Sequence, residues 1–307
     1  MFGSPASRFP ILSVLVLCAL CAATAGAAGS ARGPGAGVAA GKGRDDAFVR
    51  TARVLDSRPT DISVPVGLAA VPNKSVLFVV QAHGAKRTNV VSLDRFGRSA
   101  GSAQLQAGAL NPINMAFDAR RHRLLLLSAR AQLLEVQVNA RGNLAPKTLQ
   151  RLDVAQFGLT DPQGMAVDPS GTLYILDAGH QRVVRVQPTA DGSFRGAVRS
   201  ELDLRPNGLG AVRALAFDPQ NGHLYVRSGK TLNELTTAGK VVARRDLNGL
   251  GVDTPQGMVF APSSDETDAP TQLSLYVADS RGPATRAASA SAGGTGQIGR
   301  ASCRERV

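Results

Sequence analysis

The stretch Pro162-Gln-Gly-Met-Ala-Val-Asp-Pro-Ser-Gly-Thr-Leu-Tyr-Ile-Leu-Asp-Ala-Gly-His-Gln-Arg-Val-Val-Arg-Val-Gln187 decides the fold of this chain. It alternates short apolar runs with turn residues, which is the pattern of successive antiparallel strands. We predict a fourth, more polar strand over Phe194–Leu204. The first three strands and the two turns between them are predicted over Gly164–Asp168, Pro169–Gly171, Thr172–Leu176, Ala178–His180 and Arg182–Gln187.

The same unit occurs five times along the chain. Each copy begins with a similar apolar segment, and the copies start at Pro65, Pro112, Pro162, Ala211 and Pro255. Subtracting successive start positions gives spacings of 47, 50, 49 and 44 residues, which is the period of propeller blades rather than of helical solenoids. Apolar inner strands and polar outer strands are what a radial stack of sheets requires. The sequence therefore predicts an all-β fold, a β-propeller of four-stranded blades with five visible repeats.

A strand before the first repeat bears on how the ring closes. Val49–Asp56 resembles the predicted outer strands, which are Thr148–Val154, Phe194–Leu204 and Lys240–Leu247. A chain that begins with an outer strand can complete its last blade with it, so that no sheet edge stays open. Either a five-bladed ring closes on Val49–Asp56, or one or more further blades are missing from this chain.

Two stretches resemble a known repeat. Gln163–Val186, with its Asp177-Ala-Gly-His-Gln-Arg182 hairpin, resembles the NHL repeat closely, and Gln256–Pro262 followed by Leu275–Ser280 is similar to it. The resemblance extends over about Pro65–Ser280 and implies a propeller in which six blades are the commoner count, so we expect an incomplete six-bladed ring. It leaves the function open, because such propellers include binding platforms, lactonase-like enzymes and lyases.

The two ends of the chain differ from the repeats. Phe2–Ala27 has the pattern of an export signal, in which Arg8 precedes an apolar run and small residues provide a cleavage site. Residues 28–46 are predicted to be a flexible Gly/Ala-rich spacer, and residues 47–296 the propeller. Residues 297–307 resemble a translated sequencing adapter and are interpreted as a non-native tail. We expect a secreted or periplasmic bacterial protein whose mature chain has no transmembrane span.

Charge and composition narrow the classes of partner. The chain carries 35 Lys and Arg against 23 Asp and Glu, a net charge of +12. The arginines are scattered singly, as at Arg141, Arg151 and Arg195, with few aromatic residues among them. Nucleic-acid binders instead concentrate charge on one face and supply stacking rings. We therefore expect no nucleic-acid partner, whereas attraction to an acidic cell surface or polyanion stays open.

A metal site is the alternative that the resemblance implies. Related six-bladed enzymes hold a divalent cation in the central channel with groups from the loops that enter the inner strands. This chain offers carboxylates and amides at those places, namely Asn111, Asn114, Asp161, Gln163, Asn207, Asp253 and Gln256. The same residues, in the loops at the channel mouth, are the predicted binding residues of the protein. Such groups can hold Ca²⁺ with water completing the shell, although the set lacks the Glu that the lactonase-like family uses. If these side chains point apart, the enzyme hypothesis fails.

Other catalytic chemistry has little support in the sequence. No Gly-x-Ser-x-Gly or nucleotide-binding motif occurs, and the cysteines lie in the predicted signal and tail. A three-histidine zinc site is disfavoured, because two histidines are predicted on each face of the propeller: His83 and His180 on one, His122 and His223 on the other.

Several acidic residues are interpreted as structural. Asp177 is expected to accept backbone hydrogen bonds at a strand end and to pair with Arg182. Turn formers are predicted at Asp118, Asp168 and Asp218. The sequence thus favours an exported, monomeric module without a cofactor, which binds a protein or a cell-envelope polymer through its loop face. The alternative is a Ca²⁺-dependent hydrolase of the lactonase type with its site in the central funnel.

Overall fold

The computed structural model of the chain describes residues 13–18, 50–56, 62, 64–72, 74–81, 88–106, 111–129, 132–248, 250, 252, 254–269 and 271–279. For residues 13–18 and 50–56 only the backbone is described. The predicted spacer, the tail 297–307 and most of the predicted export signal lie outside the described residues, so these assignments stay predictions.

The described residues form β-strands connected by turns and three short 3-10 turns, Pro146–Thr148, Ala155–Phe157 and Arg205–Asn207. Within this part of the chain, no helix is long and apolar enough to cross a membrane. The strands are, in chain order, β1 (Ser13–Cys18), β2 (Arg50–Asp56), β3 (Pro65–Val71), β4 (Val76–Gln81), β5 (Thr88–Asp94), β6 (Ser99–Leu105), β7 (Pro112–Asp118), β8 (Arg123–Ser128), β9 (Gln132–Gln137), β10 (Gln150–Asp153), β11 (Pro162–Val167), β12 (Leu173–Asp177), β13 (Arg182–Gln187), β14 (Val198–Asp203), β15 (Val212–Asp218), β16 (His223–Ser228), β17 (Thr231–Leu235), β18 (Val241–Asp246), β19 (Pro255–Pro262) and β20 (Leu273–Asp279).

Four blades are each built from four consecutive antiparallel strands. Blade 1 contains β3 to β6, blade 2 contains β7 to β10, blade 3 contains β11 to β14, and blade 4 contains β15 to β18. The first strand of each blade is its inner strand and the last is its outer edge. The all-β propeller of four-stranded blades is therefore confirmed.

A further sheet, which we call the composite sheet, has the strand order β19-β20-β1-β2. The predicted ring of five repeats, incomplete relative to six blades, is wrong in its count. Four blades consist of consecutive strands, because within the described residues the fifth repeat contributes only β19 and β20. The edge strand β2 corresponds to the strand predicted at Val49–Asp56, and β1 lies inside the segment predicted to be an export signal.

Burial follows the position of a strand within its blade. Every residue of β8 and of β12 is buried, whereas β6 and β14 are largely exposed. This difference arises because the second strand of a blade is covered on both faces by neighbouring blades, while the outermost strand faces solvent. The outer strand predicted over Phe194–Leu204 begins later, at Val198, because the Phe194 side chain turns inward and is fully buried.

Apolar side chains fill the seam between each pair of neighbouring sheets. Blades 1 and 2 share a cluster around Phe78 and Leu126, and blades 3 and 4 share one around Leu176 and Leu215. The composite sheet packs against blade 4 through Met258 and against blade 1 through Tyr276 and Ala278, among others. Its inner strand β19 contacts both β15 and β3, so the inner strands surround one axis.

Close approach of the inner strands requires glycine. The register of β3, β11 and β19 shifts between the first proline and the glycine two residues later. A Cβ atom on Gly164 would lie 2.7 Å from Leu215 N, and one on Gly257 would lie 2.9 Å from Gly67 Cα. The Pro-x-Gly motif thus allows the backbones of neighbouring inner strands to contact each other around the axis.

Candidate functional site

The ring has two ends, which differ in chemistry. We call the end where the chain enters the inner strands the entry face; it carries Pro65, Pro112, Pro162, Val212 and Pro255. We call the opposite end the turn face, since the inner strands turn back there at Pro72, Ala119, Pro169, Pro219 and Pro262. The seven side chains predicted to bind a partner or a cation were expected around the entry face.

Two of the predicted residues form one hydrogen-bonded chain at the entry face. Gln163 Nε2 donates to Asp161 Oδ1, and Gln163 Oε1 accepts a hydrogen bond of 3.0 Å from Arg213 Nη1 in the next blade. The amide oxygen that would bind a cation is therefore already bound to a guanidinium. A cation placed there would meet the positive charge of Arg213 at short range.

Asn114 and Gln256 are also brought together, although through a backbone atom. The Asn114 side chain is fully buried, and its Nδ2 donates to the carbonyl oxygen of Gln256 at 3.2 Å. Its Oδ1 accepts from Met115 N at 2.8 Å. Asn114 occupies the position that is Gly67 in blade 1 and Gly164 in blade 3, and its hydrogen bond to Gln256 O ties β7 to β19.

The remaining predicted residues do not join these pairs. Asn207 Nδ2 donates to Gly239 O at 3.0 Å, in the turn between β17 and β18. Asn111 is exposed, and its carbonyl accepts from Ala129 N at 3.0 Å. Asp253 lies outside the described residues, as does His83.

The described polar residues of the entry face do not fit a calcium site as arranged. Among the residues that the structure describes, no three His, Cys, Asp or Glu side chains are grouped so that they could hold a metal ion. The amide oxygens of Asn114 and Gln163 are engaged by protein donors. We therefore derive no reaction step through a cation.

Asp177 organises the loop that leads into blade 3. Its side chain is fully buried and accepts hydrogen bonds from Thr160 N at 3.1 Å, Asp161 N at 2.9 Å and Arg182 Nε at 3.1 Å. Burial alone would raise the pKa of this carboxyl, but the hydrogen bonds from Asp161, His180 and Thr160 outweigh it and lower the pKa to about 2. The predicted structural pairing of Asp177 with Arg182 is confirmed.

Thr160, His180 and Asp177 lie together but do not form a nucleophilic triad. His180 Nδ1 is 3.0 Å from Thr160 Oγ1 and 2.9 Å from Asp177 Oδ2. In a triad, the hydroxyl and the carboxylate contact different ring nitrogens, so that a proton passes through the imidazole. Here Nδ1 of His180 faces both groups, so the arrangement stabilises the loop that leads into blade 3 instead.

The predicted turn formers are confirmed. Asp118 Oδ1 accepts from Arg120 N at 3.1 Å, and Asp218 Oδ1 accepts from Gln220 N at 2.9 Å. Asp168 Oδ1 accepts from Ser170 N and Thr172 N, both at 2.9 Å. Each carboxylate thus closes the turn that follows an inner strand.

A cavity of about 240 Å³, which the sequence did not predict, lies on the ring axis. Its lining comes from the second halves of the inner strands, so it lies toward the turn face. None of the six described candidate ligands of calcium lines it. The lining residues are Leu68, Ala70, Pro72, Met115, Ala116, Phe117, Ala119, Met165, Ala166, Val167, Asp168, Pro169, Ala216, Phe217, Pro219, Met258, Val259 and Phe260.

The cavity is apolar, and its one acidic lining residue, Asp168, already accepts hydrogen bonds from the protein. Besides the turn hydrogen bonds, Asp168 Oδ2 accepts from Tyr174 OH at 3.1 Å. Burial together with the charge of Asp168 raises the pKa of Tyr174 to about 12, so this phenol stays a donor. The signal in the sequence was the recurrence of Met and Phe two residues apart, as in Met115-Ala-Phe117 and Met258-Val-Phe260.

A family model agrees with the repeat. Residues 159–186 match the NHL repeat model, which confirms the resemblance for the third copy. The chain is similar to a virginiamycin B lyase from Staphylococcus aureus, at 14% identity over 64% of this chain and 59% of that chain, with a TM-score of 0.40. The match thus spans less than two thirds of the lyase.

Two other solved structures are similar at the same level. One is a calcium-binding protein, regucalcin, from Agrobacterium tumefaciens strain C58, at 14% identity over 74% of this chain and 93% of that chain, with a TM-score of 0.44. The other belongs to a nidogen–laminin complex, at 14% identity over 88% of this chain and 97% of that chain, with a TM-score of 0.46. No curated protein sequence matches the chain. None of these likenesses assigns an activity to it.

Proposed function

We propose that this protein is a non-catalytic binding module that holds its partner over the turn face, where the apolar cavity opens. The observation that supports the proposal is the cavity itself. Apolar side chains of the inner strands line it around the axis. An apolar recess with few polar groups is the usual form of a ligand site. We take the partner to be a protein or a cell-envelope polymer, and the export pattern at Phe2–Ala27 supports a secreted or periplasmic location.

The polar groups of the entry face favour binding over catalysis. Gln163 hydrogen-bonds to Asp161 and, across a blade seam, to Arg213. Asn114 connects β7 to β19. Side chains engaged in this way hold the ring together. A hydrolase would need them to polarise a carbonyl or to activate water.

Calcium dependence tests this proposal against the lactonase-type alternative. We expect the purified full chain to show the same thermal unfolding midpoint in calcium chloride and in EDTA, and no hydrolysis of a simple lactone in either solution. The matched variants are Asp161→Asn, which removes a predicted calcium ligand, and Asp191→Asn, a surface carboxylate. Calcium-dependent lactone hydrolysis that Asp161→Asn abolishes and Asp191→Asn retains would overturn the binding proposal.

A further inference from the structure

We infer that the axial cavity accepts a neutral, indole-sized aromatic side chain presented by a partner protein. This inference rests on the proposed binding function and specifies its ligand. Four properties support it: the size of the cavity, its polarity, the pattern of residues around it, and its position on the turn face.

Size sets the first limit on the occupant. An engineered apolar cavity of about 150 Å³ holds benzene, which has six heavy atoms. The axial cavity measures about 240 Å³, and the same ratio of volume to atoms corresponds to about ten heavy atoms. The side chain of tryptophan has this size, whereas a leucine side chain would leave most of the cavity unfilled and would forfeit contacts.

Polarity sets the second limit. Among the described lining residues, Asp168 carries the one formal charge, and both of its carboxylate oxygens already accept hydrogen bonds. No lining residue offers a basic side chain to a carboxylate or a phosphate. An anionic group would therefore lose its hydration without gaining a partner, which is unfavourable.

The ring of equivalent residues explains the shape and the aromatic preference. Strand register aligns Ala70, Phe117, Val167, Phe217 and Phe260 at one level around the axis. Three of these positions carry phenylalanine, and the two smaller residues leave the open volume. Below them lie the methionines of three inner strands, whose flexible thioethers contact aromatic rings favourably.

The position of the cavity favours a side chain from a partner over a free small molecule. The prolines that line its mouth, Pro72, Pro169 and Pro219, are exposed, so apolar surface continues from the cavity onto the turn face. A large aromatic anchor in a pocket near the centre of an interface, ringed by further contacts, is the usual form of a binding hot spot. This chain contains no tryptophan, so a second copy of this sequence cannot supply the anchor.

The absence of tryptophan also makes the test direct, because indole fluorescence then reports the ligand alone. We expect 3-methylindole and N-acetyl-tryptophanamide to bind the purified full chain saturably, with a blue shift of their emission. Naphthalene should compete with both, whereas naphthalene-2-sulfonate should not. Binding of 3-methylindole with exclusion of N-acetyl-tryptophanamide would overturn the assignment to a protein side chain, and binding of neither would overturn the ligand class.

Ala70→Phe is the decisive variant, since it places in blade 1 the residue that three other inner strands carry. We expect it to weaken the affinity for both probes by more than about tenfold, and a tenfold change corresponds to about 1.4 kcal/mol of binding free energy. The control is Ala100→Phe on the exposed outer strand β6, which should bind as the parent does. Should Ala70→Phe lower the unfolding midpoint, Val167→Phe tests the same level from blade 3.

Unchanged affinity in a folded cavity variant would overturn this inference. Its failure is distinguishable from failure of the proposed function. Loss of the ligand class shows in the probe titrations, whereas failure of the binding proposal shows as calcium-dependent lactone hydrolysis.

Discussion

Asp177 shows how a single side chain orders the loop into a blade. It is fully buried, yet it accepts hydrogen bonds from two backbone amides, from Thr160 Oγ1 and from Arg182. Arg182 in turn contacts Glu201 Oε1 at 2.6 Å and donates to Gly158 O at 2.6 Å. One carboxylate thus connects the entry loop, the hairpin after β12 and the outer strand β14.

The lowered pKa of Asp177 predicts a stability that depends on pH. The folded-state pKa of about 2 lies below the ordinary value of 3.8, so the folded protein favours the ionised carboxyl. This contribution, roughly 2 kcal/mol, is present above about pH 4 and is lost as the pH falls through 2. We expect Asp177→Asn to lower the free energy of unfolding at pH 7, as measured by urea denaturation. Near pH 2, the free energies of unfolding of the variant and the parent should become similar.

Glu266→Gln is the control for this prediction. Its side chain is 71% exposed, so the variant should follow the pH dependence of the parent protein. A constant difference between Asp177→Asn and the parent from pH 7 to pH 2 would contradict the account of this carboxyl.

At the scale of strands, the distance between inner backbones depends on small residues. Gly164→Ala would bring a Cβ atom within 2.7 Å of Leu215 N and 2.9 Å of Leu215 Cβ. Because these neighbours belong to a buried strand and cannot move away, we expect a loss of about 1–3 kcal/mol in the free energy of unfolding, measured by urea denaturation.

Gly210→Ala provides the matched comparison, because a Cβ atom there would meet no atom within 4 Å. It should leave stability unchanged within about 0.5 kcal/mol. Equal effects of the two substitutions would show that β11 and β15 do not approach as described.

Arginines connect blades in a way that accounts for part of the basic composition. Arg123 is buried between Asp118 at 2.9 Å and Glu135 at 2.6 Å, and its Nη2 donates to Gly192 O in blade 3 at 2.7 Å. Arg120 and Arg121 also donate to carbonyl oxygens of blade 3. The planar fork of arginine can satisfy a carboxylate and a carbonyl together, which gives this group of arginines a structural role.

The elements themselves were predictable from the sequence. Alternating apolar residues and turn residues placed the strands of blade 3, and Asp-Pro and Gly positions placed its turns. The start of the outer strand β14 was less predictable, because the burial of the Phe194 side chain depends on a tertiary contact. Its ring lies 4.8 Å from the Arg123 guanidinium carbon of the neighbouring blade, and no local pattern in the sequence records this packing.

At the scale of the whole molecule, the repeat predicted the fold class but not the number of blades or the place of the candidate site. β1 pairs with β20 on one side and with β2 on the other, which joins residues far apart in sequence. Closure of the last sheet by Val49–Asp56 was one of the predicted alternatives, whereas the insertion of β1 between β20 and β2 was not predicted. The candidate ligands Asn114 and Gln163 were chosen by residue type and position. Their actual partners, Gln256 O and Arg213, lie on other strands and determine what these amides do.

The cavity was missed for a related reason. Its lining residues are ordinary core types, and a single repeat gives no sign that their side chains leave space at the axis. Only the closure of the inner strands around that axis creates the recess, with Ala70 and Val167 facing the same volume as Phe217.

A crystal structure of the protein under xenon pressure tests the central claim most directly, because xenon enters apolar cavities that proteins leave unfilled. We predict ordered sheets around one axis and a xenon atom on that axis, in contact with Met115, Phe217 and Phe260. Xenon found only in the seams between blades, with the axis filled by side chains, would contradict the account.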